Sequence, residues 1–258
     1  MRLRYITCSD PREFNDIHDI VKLAEMSPRA EIAVQMPPSK ASVGMPRNQW
    51  FHELCRYCVR DAHDINLAVH VNQEWCEEIC RTGEIPMELR EFFGFYRKNL
   101  GAPLVKRWQL NMSNTAVHDI NYSAVKKLFL HNDDHEFILQ YDDRTKNATR
   151  VLYEMGAKFS LLYDASGGRG IAPSTWNKPV YDSVPMGYSG GMSPENVVKN
   201  LKQISSVVPK NREDIWIDAE GKLKTDDKFD IARAQKYITN AERWLKRQRD
   251  CPSKIIHR

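Results

Sequence analysis

The chain has 258 residues, of which 41% are hydrophobic and 28% charged, and a net charge of +4 from 38 basic and 34 acidic side chains. That is the balance of a soluble globular protein, with too little positive charge to demand a nucleic-acid partner and no stretch near the roughly 18 apolar residues of a membrane span. The opening MRLRYITCSD has neither a long apolar segment nor a small-residue cleavage site, so a cytoplasmic location is expected.

Short apolar runs alternate with polar, helix-like segments from end to end. The first half has strand-like runs at 3–8 (LRYITC), 31–36 (EIAVQM), 66–71 (NLAVHV) and 106–111 (KRWQLN). The second half adds 136–141 (EFILQY), 159–164 (FSLLYD), 184–189 (VPMGYS) and 214–219 (DIWIDA). Runs rich in Val, Ile, Leu and aromatics, bounded by turn residues, suit buried parallel strands. Between them lie helical segments, among them REFNDIHDIVKLAEM, RNQWFHELCRYCVRDA and NQEWCEEICRTG with its continuation PMELREFFGFYRKN. YSAVKKLFLH, RTKNATRVLYEM, SPENVVKNLKQISSVV and DIARAQKYITNAERWLKRQ follow. In SPENV, Ser193 is placed to cap and Pro194 to sit in the first turn.

Eight strands alternating with helices predict α/β architecture, a single (β/α)8 barrel over residues 1–258, with an open doubly wound sheet as the alternative. Function in such a barrel sits where strands end. The rim then holds Cys8, Ser9, Asp10, Lys40, His70, Asn72 and Asn111 from the first four strands. Gln140, Asp142, Asp164, Ser189 to Gly191, Asp218 and Glu220 come from the last four.

Cys55, Cys58, Cys76 and Cys80 have a spacing that superficially suits zinc, but both segments look helical, and small buried cysteines give the same pattern. No metal site is expected. The basic RWLKRQR at 243–249 reads as a solvated helix face, and HNDDHE at 131–136 precedes its strand, away from the expected site. DASGGRG fits neither a phosphate-binding P-loop nor a dinucleotide fingerprint.

Three blocks in order carry a family resemblance. LLYDASGGRGIAPSTW, GYSGGMSPENV and DIWIDAEGKLKTDDKFDIARAQKYI resemble the segments at strands six, seven and eight of phosphoribosylanthranilate isomerases. RWQLN resembles that family's Gln-Leu-His-Gly strand, with Asn111 at the histidine position, and QMPPSKASV is a loose match to the loop after strand two. The resemblance implies an Amadori rearrangement of a phosphorylated aminosugar without a cofactor. It assigns the general acid to Asp164 and the base to a cysteine, for which Cys8 is the candidate. It places phosphate on the Gly190–Gly191 turn with Arg169 and the Gly168 loop nearby, and Asn111 and Asp218 along the pocket. A basic residue after strand two, Lys40 or Arg47, would meet the aromatic carboxylate.

The chain departs from the family where substrate is touched. ITCSD replaces Lys-x-Cys-Gly, and Glu220 stands in the strand-eight loop where the family has a Ser-Ser-Gly type sequence. The expected partner is a small phosphorylated molecule, with neither membrane nor nucleic acid involved. The alternatives are an isomerase or lyase acting on another sugar or nucleotide derivative, and an inactive barrel that binds a partner or nucleic acid.

Overall fold

The computed structural model describes residues 1–97, 101–112, 119–164 and 169–250. Its centre is a closed barrel of eight parallel strands. The strands are β1 (Leu3–Ser9), β2 (Ala30–Met36), β3 (Asn66–Val71), β4 (Val105–Leu110), β5 (Glu136–Tyr141), β6 (Ser160–Asp164), β7 (Met186–Ser189) and β8 (Ile215–Ala219). All eight runs read from the sequence are strands. β8 closes on β1 with Asp218 opposite Thr7.

Helices α1 (Ile17–Glu25), α2 (Pro38–Ala41), α3 (Pro46–Arg60), α4 (Gln73–Thr82) and α5 (Met87–Phe93) lie in the first half. α6 (Tyr122–His131), α7 (Lys146–Glu154), α8 (Val197–Val207) and α9 (Ile231–Asp250) complete the set. The α1 start is fixed by Asp16, whose carboxylate accepts from the His18 and Asp19 N–H groups. The helix expected to run on past residue 93 stops instead. The Gly94 N–H caps the carbonyls of Arg90 and Glu91, and Tyr96–Arg97 then pairs antiparallel with Ala102–Pro103. In α9, Trp244 and Leu245 are buried while Arg243, Lys246 and Arg247 face water, so the basic stretch is an amphipathic outer helix.

The β6–β7 connection has no helix among its described residues. Pro173, Pro179 and Pro185 remove donors at intervals that prevent one. Aromatic packing covers the strands in its place. Trp176 is buried edge-on to Tyr163 and Tyr188, and Tyr181 stacks on Tyr153 at 3.9 Å.

Alternating side chains face the helices and the barrel axis. The outward set forms the main apolar core, whereas the inward set low in the barrel contains charge. Arg107 lies 4.3 Å from both the Tyr5 and the Trp216 ring. Its Nη1 meets Glu31 Oε1 at 2.6 Å, and its Nε lies 3.4 Å from Glu136. Thr7 donates to Glu31 at 2.7 Å and Ser160 to Glu136 at 2.7 Å, so a polar stack fills the barrel below its upper end.

Gly187 makes room for this stack, since a Cβ there would lie 2.1 Å from the Trp216 indole. Gly187→Ala is therefore expected to cost about 1–3 kcal/mol by overpacking, read as a lower urea midpoint. An unchanged midpoint would mean that the indole swings aside freely. Among the described residues no helix is long and apolar enough to cross a membrane.

Candidate active site

A cavity of about 400 Å³ opens at the C-terminal end of the barrel. Strand alternation supplies its wall: Gln35, His70, Gln109, Gln140, Asp164, Ser189 and Asp218 come from β2 to β8 in order, at least one side chain per strand. β1 takes part through Ser9, whose hydroxyl donates to Asp218 Oδ1 at 2.6 Å. The loops above add Asn72, Asn111, Arg169, Gly190, Gly191, Glu220 and Lys222. Carboxamides, carboxylates and two cations dominate, a surface suited to hydroxyl-rich ligands.

Most of the residues singled out in the sequence meet here. Asp164, Arg169, Asn111, Asp218, Gly190 and Gly191 all line the cavity, while Gly168 lies outside the described residues. Cys8 and Lys40 do not. Thr7 and Ser9 face the barrel axis through their bonds to Glu31 and Asp218, so Cys8 between them points outward into the apolar layer under the helices. Burial there pushes its thiol well above the ordinary range, which opposes a thiolate base. Lys40 sits on the exposed face of the short α2. Arg47, the other basic candidate, is tied to Glu13 at 3.0 Å, Asp10 at 3.5 Å and the Gln35 carbonyl at 3.2 Å. Asp10, also on the sequence-derived rim, is buried beside Arg12, Arg47 and Lys224, with Lys224 Nζ at 2.8 Å.

Two shifted groups face each other near the base of the cavity. Burial raises the Asp218 carboxyl to about 8, with Glu220 and Glu31 adding repulsion and the Ser9 hydrogen bond opposing. Burial also lowers His70 to about 3, assisted by the Arg107 charge and opposed by Asp10. At neutral pH both are uncharged, and their 3.8 Å separation is a contact between a neutral acid and a neutral imidazole rather than an ion pair. Across the cavity, Asp164 Oδ2 accepts from Gln140 Nε2 at 3.2 Å.

The Gly190–Gly191 turn has a local explanation. Both residues have positive φ, and a Cβ on Gly191 would meet Ala172 N at 2.6 Å and Gly170 O at 2.8 Å. The turn is thus packed beneath the β6–β7 loop. Just beyond it, Ser193 N–H donates to Asn196 Oδ1 at 2.8 Å, and the Glu195 and Asn196 N–H groups reach Ser193 Oγ at 3.2 Å. Those donors of the helix entry are already used within the chain. Glu220, at the opposite rim, pairs with Lys224 at 3.3 Å.

The four cysteines of the helical segments, Cys55 and Cys58 on α3 and Cys76 and Cys80 on α4, are buried in the outer core. Among the described residues no group of three or more potential ligands is arranged for a metal ion.

No family model matches the chain, and no curated protein matches it. Solved structures do. The chain is similar to the N-(5'-phosphoribosyl)anthranilate isomerase from Pyrococcus furiosus, with a TM-score of 0.52 and 11% identity over 93% of this chain and 98% of that one. It is similar as well to a phosphoribosyl anthranilate isomerase in complex with reduced 1-(O-carboxyphenylamino)-1-deoxyribulose 5-phosphate, with a TM-score of 0.52 and 13% identity over 94% and 99% of the two chains. At such identities the likeness is one of fold, the closed barrel of eight parallel strands.

Proposed function

We propose that this barrel is a cofactor-free isomerase that converts a phosphorylated aminoaldose into the aminoketose by general acid–base catalysis. The observation that carries the reading is a pair of carboxyl groups flanking one cavity. Asp164 and Asp218 both pair in register with Ser189, so they stand at one height on the strands either side of β7. Two strand spacings put their backbones about 10 Å apart, a gap that accommodates a sugar between the side chains.

The chemistry follows from their settings. Asp218, neutral at pH 7, gives its proton to the ring oxygen as the bond from that oxygen to C1 breaks and the nitrogen lone pair forms an iminium. Asp164 then takes the proton from C2, and the electrons of that bond neutralise the iminium to give an enaminol. Loss of the enaminol hydroxyl proton and protonation at C1 complete the ketose, so protons and electrons balance within the substrate. The family resemblance gives the acid role to Asp164. Burial favours Asp218 for it, and Asp164 replaces the outward-facing Cys8 as base.

Arg169 and Lys222 provide positive charge for a phosphate near Gly190, while Lys224 offsets the charge of Glu220. The direct assay is conversion of phosphoribosylanthranilate, followed by loss of its fluorescence. Asp164→Asn should slow it by at least about 10²-fold, whereas Cys8→Ala should run near the wild-type rate. No conversion by the wild type would overturn the reading.

A further inference from the structure

A directed chain of carboxamide hydrogen bonds runs along one wall of the cavity. Gln109 Nε2 donates to Asn111 Oδ1 at 2.8 Å, and Asn111 Nδ2 donates to Asn72 Oδ1 at 2.7 Å. Asn72 Nδ2 donates in turn to Gln35 Oε1 at 2.7 Å. Gln35 Nε2 then faces two acceptors, Glu220 Oε2 at 2.9 Å and His70 Nδ1 at 3.1 Å. The Gln109 amide nitrogen also lies 3.5 Å from His70 Nδ1.

The direction of the chain is set by chemistry. Asn72 Nδ2 occupies the Gln35 oxygen, and Glu220, its carboxyl raised by burial and the Asp10 charge and lowered by Lys224 at 3.3 Å, offers a carboxyl oxygen as acceptor. The Gln35 atom facing Glu220 must therefore be its nitrogen. With Gln35 so oriented, the neighbours of His70 Nδ1 are amide nitrogens, so Nδ1 accepts and the ring proton resides on Nε2. That N–H faces Asp218 Oδ2 at 3.8 Å, too far for a direct bond. An oxygen about 3 Å from each would bridge the two.

We infer that His70 donates its Nε2–H to the reacting oxygen of the substrate, and that Gln35 and Glu220 are positioning residues that hold the imidazole in this tautomer. The substrate half of this inference rests on the isomerase reading, whereas the tautomer rests on the hydrogen-bond geometry alone. A neutral imidazole suits the task. It polarises the ring oxygen that Asp218 protonates, and it can strengthen its hydrogen bond as the bond from that oxygen to C1 breaks and charge develops there, without surrendering its own proton. The inference also gives Glu220 a purpose at a place where a carboxylate near phosphate is otherwise unfavourable.

The test is long-range nitrogen–proton NMR of uniformly ¹⁵N-labelled protein at pH 7, with the His70 signals identified by their disappearance in His70→Gln. The expected spectrum has a pyridine-type Nδ1 and a pyrrole-type Nε2. Glu220→Gln, a change at the exposed rim that leaves the core intact, should shift the ring toward a mixture of tautomers. A pyrrole-type Nδ1, an imidazolium, or a tautomer unmoved by Glu220→Gln would overturn the assignment. With phosphoribosylanthranilate as the probe, His70→Gln should lower kcat by about 10²- to 10³-fold, and a rate within twofold of wild type would overturn the donor role. The spectrum needs no turnover, so an inactive protein with the expected tautomer would defeat the isomerase reading while supporting the positioning of His70.

Discussion

Asp218→Asn is expected to lower turnover by about 10²- to 10⁴-fold, the usual worth of a positioned general acid. Asparagine keeps the shape and can still accept the Ser9 hydrogen bond at Oδ1, so the loss would reflect the missing proton rather than a collapsed site. Wild-type activity should fall as pH rises through about 8, where the buried acid ionises. Stability should move in the same direction. A carboxyl with its folded value raised from 3.8 to about 8 holds a proton that the unfolded chain releases. Its contribution is therefore fully present below about pH 4 and is lost progressively as pH climbs through about 8. Thermal denaturation from pH 5 to 9 should show a declining wild-type midpoint and a flatter course for Asp218→Asn. The variant should be the more stable protein at the alkaline end. Parallel curves would show that Asp218 is ionised in the folded state.

Arg107→Met is expected to have the largest effect on stability. Arg107 and Glu31 are each 1% exposed, and one oxygen of Glu31 already lacks a hydrogen-bond partner. Removing the guanidinium strands a buried carboxylate, at a cost of about 3–5 kcal/mol. For a chain of this size that is a fall of about 10 °C in midpoint. The Tyr5 and Trp216 rings would also lose the cation between them. Adding Glu31→Gln to Arg107→Met should recover much of the loss, because the stranded charge is then gone. A double variant as unstable as the single one would assign the cost to packing instead.

The order of elements was legible because the eight apolar runs are short, separate and bounded by polar segments. Asp164 was legible for the same reason, as a carboxylate ending a strand. The side of the strand was harder. ITCS offers Thr7, Cys8 and Ser9 in succession, and only the pairing of Thr7 with Glu31 and Ser9 with Asp218 decides that Cys8 faces outward. Gln35 and Gln109 lie inside EIAVQM and KRWQLN, where a strand pattern alone gives neither a role. Gln109 lies two residues after Arg107 and Gln35 four after Glu31, and this even spacing of polar residues in otherwise apolar strands marks an inward, polar face. The importance of Asp218 and the neutrality of His70 depend on closure of the barrel around them, since burial is the main cause of both shifts. Likewise, the Gly190–Gly191 pair looked like an anion cradle, and its contact with Gly170 and Ala172 joins loops that no local pattern connects.

The central claim is that Asp218 and Asp164 move protons on a bound aminosugar. It is tested most directly by incubating the protein with phosphoribosylanthranilate in deuterium oxide and examining the product by NMR. The expected product is the ketose with the C2 hydrogen lost and deuterium at C1, formed by the wild type and lost in both Asp164→Asn and Asp218→Asn. No ketose from the wild type, or ketose formed equally fast by the two variants, would contradict the account.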